Sequence, residues 1–417
     1  MIDKIGQASD TSKWGVTPQK KKQEAKNIIT DKVSTGKRKL GVQTEKRLRD
    51  LALQKKAGQK LVPGIEDQPA ENNWSIGPFR KFEKPIMEPT KEGFDSKNVY
   101  NMATIREGDT YYMIYRGEDK NETADDCTGR LGLAVSKDGI NFEREPNPII
   151  LPDQPYDKQG IEDPRLVKID DTYVLTYTAY DGKTAKLCLA TSKDMRNWEK
   201  KGPLFPEFPA DVDRTADWTK SGAILPERMK EGPFKDKYIM YFGDTDMWMG
   251  YSDDLENWSY VKEPVLRPRE GKFDSRIVEP GPPPIKTKDG ILLIYNGSTK
   301  GKPGENFGGY YAGAVLFDPK DPTKVLKRSE KPLIGPTQDW EKEGYVDNVS
   351  FVEGLTVSDD GTWNMYFGGA DRSIGLAVAD FKPELLSEQA ATAAMSMTPG
   401  AVAVGIPGSG VYKPTPK

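Results

Sequence analysis

Histidine is missing from all 417 residues. That absence excludes a Ser-His-Asp triad, a Cys-His pair and any His-ligated zinc site, so acid–base work falls to Asp, Glu, Tyr or Lys. Cysteine is scarce: Cys127 and Cys188 are too few for a disulfide framework and leave the redox compartment open. No apolar run is long enough to span a membrane. Met1 to Gly15 has no apolar signal core, so the chain reads as cytoplasmic or associated with an assembly. Apolar residues make up 36% and mean hydropathy is −0.69, so the core must come from a subset of the sequence. No pattern calls for a metal or a cofactor.

Charge is uneven. From Lys20 to Lys60 the local balance is +10, whereas the whole chain is −3, leaving −13 for the rest. Residues 1–73 read as a basic, partly helical extension with helical composition at Lys20–Asp31 and Gln43–Lys56. Such an arm reads first as a solvated, partly disordered tail and second as an anchor that binds an acidic surface or lies along a partner. No aromatic interleaving supports nucleic acid. Residues 382–417 read as an irregular tail, Gly, Ala, Val and Pro-rich after a helix-like piece at Pro383–Met395.

Between them, residues 74–381 are rich in turns; the chain has 40 Gly and 32 Pro. An apolar strand recurs five times, with equivalent tyrosines at Tyr115, Tyr177, Tyr241, Tyr295 and Tyr366, spaced 62, 64, 54 and 71 residues apart. A second element follows three copies: a strand, a Ser-x-Asp turn and an aromatic, ending at Phe142, Trp198 and Trp258. Its aromatic suits packing between neighbouring sheets. Units of this size predict an all-β fold, a five-bladed β-propeller. Five polar stretches precede the repeated strands: Asn98–Asn101, Gly160–Arg165, Thr219–Ser221, Arg276–Pro280 and Val346–Asn348. In a ring they converge on one shared polar site, with Asp347 and Asn348 among its substrate-binding candidates. Pro164 makes Gly160–Leu166 the start of a strand rather than a helix.

A hub of acids, cations and amides suits carbohydrate, because glycosidic cleavage needs an acid for the leaving oxygen and a group that supplies or activates a nucleophile. GIEDPRL (160–166), GRLGLAVSKDGINFER (129–144), GPPPIKTKDGILLIYNG (281–297), NVSFVEGL (348–355) and YFGGADRSIGLA (366–377) resemble glycoside hydrolase family 130, over about Asn98–Phe381. The resemblance implies a five-bladed propeller and an inverting mannoside phosphorylase or β-1,2-mannosidase. It implies Asp163 as general acid through a sugar hydroxyl, with Asn101, Arg165 and Asp371 holding the sugar. Arg116 and Lys220 match basic positions that face phosphate.

Taken together, the departures convert an anion site into an acidic one. Asn296 stands where the phosphorylases carry a histidine. Tyr241-Phe242-Gly243-Asp244 stands in the stretch where they tend to carry a His-Arg pair, and Glu279-Pro280 stands before the GPPP run where a small residue is usual. A carboxylate repels phosphate but accepts a proton from water. Hydrolysis of a mannose-containing oligosaccharide with Glu279 as base is therefore expected first, and phosphorolysis second. A non-catalytic sugar-binding or structural propeller, assembled through its ends, stands third. Glu227 is a second catalytic candidate, as able to bind structurally. Glu353 carries the same ambiguity. Trp218, Trp248 and Tyr310 fit either sugar stacking or the core.

Overall fold

The computed structural model describes residues 44–65, 74–121, 128–208, 218–301, 308–358, 360–380, 382 and 385. Residues 1–58 and 59–417 are separate units. In the first, residues 44–57 form helix α1, as their composition predicted, and its Leu48 and Leu51 are exposed. The helical expectations at 20–31 and 383–395, and most of the basic arm, lie outside the described residues. So does Cys127; Cys188 is buried and free.

The second unit is a ring of five antiparallel sheets. Strands β1 (Leu61–Pro63) and β2 (Arg80–Phe82) come first in the chain but join the last blade. Blade one is β3 (Asn98–Glu107), β4 (Thr110–Glu118), β5 (Arg130–Ser136) and β6 (Glu143–Arg144). Blade two is β7 (Gly160–Ile169), β8 (Thr172–Tyr180), β9 (Ala185–Ser192) and β10 (Trp198–Pro203). Blade three is β11 (Ala223–Ile224), β12 (Tyr238–Phe242), β13 (Trp248–Ser252) and β14 (Trp258–Tyr260). Blade four is β15 (Ile277–Pro280), β16 (Ile285–Lys286), β17 (Ile291–Thr299), β18 (Gly309–Phe317) and β19 (Val325–Arg328). Blade five runs β20 (Ser350–Val357), β21 (Trp363–Gly369) and β22 (Ser373–Ala379), then β2 and β1. The propeller sheet thus draws on residues 61–63, inside the segment read from sequence as extension.

Middle strands lie between neighbouring blades and bury both faces, so β12, β21 and β22 are apolar without alternation. The five repeated tyrosines sit in the second strand of each blade and are fully buried. The Ser-x-Asp turns share one hydrogen-bond scheme, in which Asn141, Asn197 and Asn257 amides donate to Asp138, Asp194 and Asp254. Phe142 packs edge-on against Tyr366 of blade five at 5.9 Å, joining adjacent blades as expected.

A second repeat was not legible beforehand. The segment leading into an inner strand carries a buried acid, and an outer strand of the same blade supplies its cation. The pairs are Asp95–Arg144 at 2.8 Å, Asp157–Lys200 at 2.6 Å, Asp274–Arg328 at 2.5 Å and Glu341–Lys81 at 2.6 Å. The last pair is fully buried and ties the ring-closing β2 to helix α2 (Asp339–Lys342). Glu341 also accepts the N–H groups of Thr337 and Gln338.

Candidate active site

The innermost strands β3, β7, β11, β15 and β20 line the axis, and their backbones break register where they meet it. In β3 the pairing shifts between Tyr100 and Met102, in β7 between Glu162 and Arg165, and in β20 between Val352 and Gly354. A bulge re-aims a side chain out of the pleat. Asn101, Asp163 and Ser221 adopt left-handed φ of 43, 49 and 55°, a conformation Asn and Asp tolerate best among non-glycine residues. The stretches read as preceding the strands are therefore, in blades one, two and four, the inner strands themselves.

Asp163 is 5% exposed. Its Oδ1 accepts the Asn101 amide at 2.7 Å and lies 3.7 Å from Arg116 Nη1; its Oδ2 is 3.6 Å from Lys220 Nζ. Burial pushes its pKa up, but Lys220, Arg116, Arg165 and the Asn101 bond outweigh burial and hold it below the ordinary value. Arg116 also pairs with Glu118 at 2.8 Å and Glu162 at 3.1 Å, and lies over the Tyr100 ring. Lys220 stays charged: burial works against the ammonium, but Asp163, Glu162 and Glu279 raise its pKa.

Glu279, on β15, is 4% exposed and accepts a hydrogen bond from the Ser221 hydroxyl. Burial pushes its carboxyl up to about 7, with Lys220 opposing and Asp163 adding. Asp371, with φ 49° in the β21–β22 hairpin, is likewise pushed by burial to about 7, against Arg116. Asp244 is raised by burial, offset by Lys220. The hub therefore holds an ionised Asp163 together with Glu279 and Asp371, which exchange protons near neutrality. That ordering is the reverse of a resting acid at Asp163, so Asp163 must gain a proton when a ligand arrives if it is to donate one.

Arg165 reaches across the axis. It is 1% exposed, donates to the backbone carbonyls of Asp163 (2.9 Å), Pro280 (2.7 Å) and Gly281 (3.2 Å), and pairs with Glu353 at 2.7 Å. It thus joins blades two, four and five and fixes the Asp163 bulge from beneath, where the resemblance implied a sugar contact. Glu353 is fully buried and raised by burial against Arg165, which gives it the structural side of its ambiguity. Gly281 has no room for a Cβ, which would come within 2.7 Å of Ile294 O.

Glu227 requires correction. It lies three residues past the end of β11, where the chain bends. Its side chain is 38% exposed and faces Lys286 at 3.6 Å and Lys230 at 3.9 Å. It is a surface ion pair outside the hub. Asp347 and Asn348 are exposed at the rim, where Asp347 accepts the Gly344 N–H and the Asn348 carbonyl accepts the Tyr310 N–H. Asn296 is buried with both amide atoms on the Val352 backbone, so it staples blades four and five. Trp248 packs into the core against Phe208. Trp218 and Tyr310 remain half-buried, and the Tyr310 hydroxyl feels Glu279 and Lys220.

Glu118, which pairs with Arg116, is a hub neighbour absent from the sequence reading, and Ser221, which binds Glu279, lay in the Thr219–Ser221 stretch without an assigned role. The period of two along β4 puts Arg116 and Glu118 on one face, which is a signal available beforehand. An apolar cavity of about 390 Å³ lies at the other end of the inner strands, against Ile105, Leu166, Leu355 and Trp363, away from this chemistry.

Fold and site together define a five-bladed propeller whose hub brings carboxyls and cations together as in sugar-acting enzymes. The chain belongs to glycoside hydrolase family 130: residues 77–386 match that family's model, described as β-1,4-mannooligosaccharide phosphorylase. It is 39% identical to a 1,2-β-oligomannan phosphorylase of Thermoanaerobacter sp. over 310 residues, 73% of this chain and 97% of that one. It is 35% identical to a β-1,2-mannobiose phosphorylase of the same organism, over 71% and 95%. A solved structure with 31% identity and a TM-score of 0.68 covers 77% of this chain and 98% of its own. It is described as showing that this family of mannoside phosphorylases contains hydrolases that target β-1,2 mannosidic linkages in Candida mannan. The curated relatives support phosphorolysis more than the hydrolysis that the sequence put first.

Proposed function

We propose that the protein cleaves β-1,2-mannosidic bonds of manno-oligosaccharides in a single inverting displacement at the hub, with inorganic phosphate as acceptor. The observation that carries this is Asp163 held between Asn101, Arg116 and Lys220, in a chain whose curated relatives are β-1,2-mannoside phosphorylases. Phosphate beside Arg116 and Lys220 draws both cations away from Asp163. The Asp163 proton affinity then rises, the carboxylate takes up a proton from solvent, and the carboxyl becomes an acid for the leaving oxygen, directly or through a sugar hydroxyl. The C1–O bond breaks, the leaving oxygen takes that proton, and a phosphate oxygen bonds C1 from the opposite face.

A second reading, hydrolysis, is favoured by Glu279. Its carboxylate beside Lys220 repels a phosphate dianion, and a group titrating at about 7 can take the proton of an attacking water. Inversion by water calls for carboxyls roughly 6.5–9.5 Å apart.

Incubating the purified protein with β-1,2-mannobiose, with and without phosphate, separates the readings. Mannose 1-phosphate formed only with phosphate supports the first. Free mannose formed at the same rate without phosphate replaces it with the second. No turnover in either condition sinks both and leaves a sugar-binding propeller.

A further inference from the structure

Next to the hub, two aromatic rings stay half-exposed in a fold that buries most others. Trp218 and Tyr180 meet edge to face, with centroids 6.1 Å apart and planes at 66°. The face of Trp218 carries the Lys220 ammonium at 5.9 Å from its centroid, and that ammonium is 3.6 Å from Asp163 Oδ2. Trp218 is thus one side chain removed from the reacting carboxyl. Its position is pinned by the next residue: Thr219 donates its N–H to Ala185 O at 3.0 Å, and its hydroxyl accepts the Leu187 N–H at 2.9 Å. Both partners lie on β9, so Trp218 is held against the β8–β9 end of blade two.

Tyr180 continues the line outward. It ends β8 and pairs with Gly160, three residues ahead of Asp163 along β7, which is roughly 10 Å of extended chain. Past it opens a cavity of about 420 Å³ lined by Lys158, Gln159, Tyr180, Asp181, Gly182 and Lys183. Successive contacts thus link Asp163 through Lys220, Trp218 and Tyr180 to a polar recess.

A β-linked mannose ring presents its C1, C3 and C5 hydrogens on one flat face, its axial O2 on the other, and its remaining hydroxyls around the edge. Aromatic rings suit that face, and Lys, Gln and Asp side chains suit that edge. We propose that Trp218 and Tyr180 form an outer sugar subsite that grips a ring beyond the cleaved bond and makes the enzyme prefer oligosaccharides to the disaccharide. This rests on the mannoside-cleaving reading and names the substrate length that the site selects.

The test is kcat/KM for β-1,2-mannobiose and β-1,2-mannotetraose, under whichever acceptor supports turnover, in the parent and in Trp218→Ala, Trp218→Phe and Tyr180→Ala. The expected result is that the tetraose-to-biose ratio falls about three- to tenfold in both alanine variants, the size of one aromatic contact, and that Trp218→Phe restores most of it. Calorimetric titration of mannotetraose into Asp163→Asn, with and without Trp218→Ala, should show the same loss in affinity without needing turnover. An unchanged ratio, or an equal fall for both substrates, overturns the subsite; the equal fall would mean that Trp218 acts through Lys220. Absence of all turnover in the parent strikes the cleavage reading instead, and the titration still decides the subsite.

Discussion

Replacing Glu279 with glutamine separates its electrostatic cost from its chemistry. Burial raises this carboxyl from 4.5 to about 7, with Lys220 pulling the other way. Between those values the folded protein binds more protons at this position than the unfolded chain does. Its contribution to stability is therefore complete below pH 4.5 and is lost as pH rises through 7. The interval corresponds to about 3 kcal/mol. Glutamine cannot ionise, yet it keeps an oxygen for the Ser221 hydroxyl that now donates to Glu279. Glu279→Gln should match the parent's stability near pH 4.5 and exceed it by about 2–3 kcal/mol at pH 8, a rise of roughly 5 °C in Tm. Asp371 titrates over the same range, so the quantity to follow is the variant-minus-parent difference in unfolding midpoint at each pH. A difference that stays flat from pH 4.5 to 8 would refute the reasoning. Activity then distinguishes the acceptors. If water attacks, phosphate-independent mannose release drops about 10²- to 10⁴-fold. If phosphate attacks, turnover survives and the KM for phosphate falls, because a like charge has gone.

Asp163→Asn keeps the Asn101 neighbour but cannot deliver a proton, so mannoside turnover by either route should fall at least about 10²-fold, read by product chromatography. Lys81→Met leaves Glu341 buried with only its two N–H donors; chemical unfolding should show a loss of roughly 3–5 kcal/mol, largely recovered in Lys81→Met/Glu341→Gln. Ala370 has φ 47°, so Ala370→Gly should relieve strain and raise stability by about 1 kcal/mol in thermal unfolding, while an equal loss would mean that the hairpin is unstrained.

Much of the ring was legible because its determinants are periodic. Five tyrosines at similar spacing, and Ser-x-Asp turns ending in an aromatic, mark the middle strands and hairpins of blades. Pro164 marked a strand, and β7 carries it at a bulge, where the missing N–H is tolerated. Asp163 and Glu279 were singled out, and both line the hub. Arg165 and Glu227 went differently. Side chains two residues apart share a pleated face only while the pleat is regular, and the break between Glu162 and Arg165 gives Asp163 and Arg165 opposite fates. Glu227 follows Lys220 along the chain, but β11 ends at Ile224 and the chain then bends, so Glu227 meets Lys286 and Lys230 instead of the hub.

Composition and repeat alone determined an all-β ring without histidine chemistry, because turn residues and apolar periods act locally and add up along the chain. Tertiary structure alone decided which acids are ionised. Proton affinity depends on burial and on cations brought from other blades: Lys220 from blade three and Arg116 from blade one depress Asp163, while burial lifts Glu279 and Asp371 to about 7. Those neighbours are tens to hundreds of residues apart in sequence, and no local pattern encodes their approach.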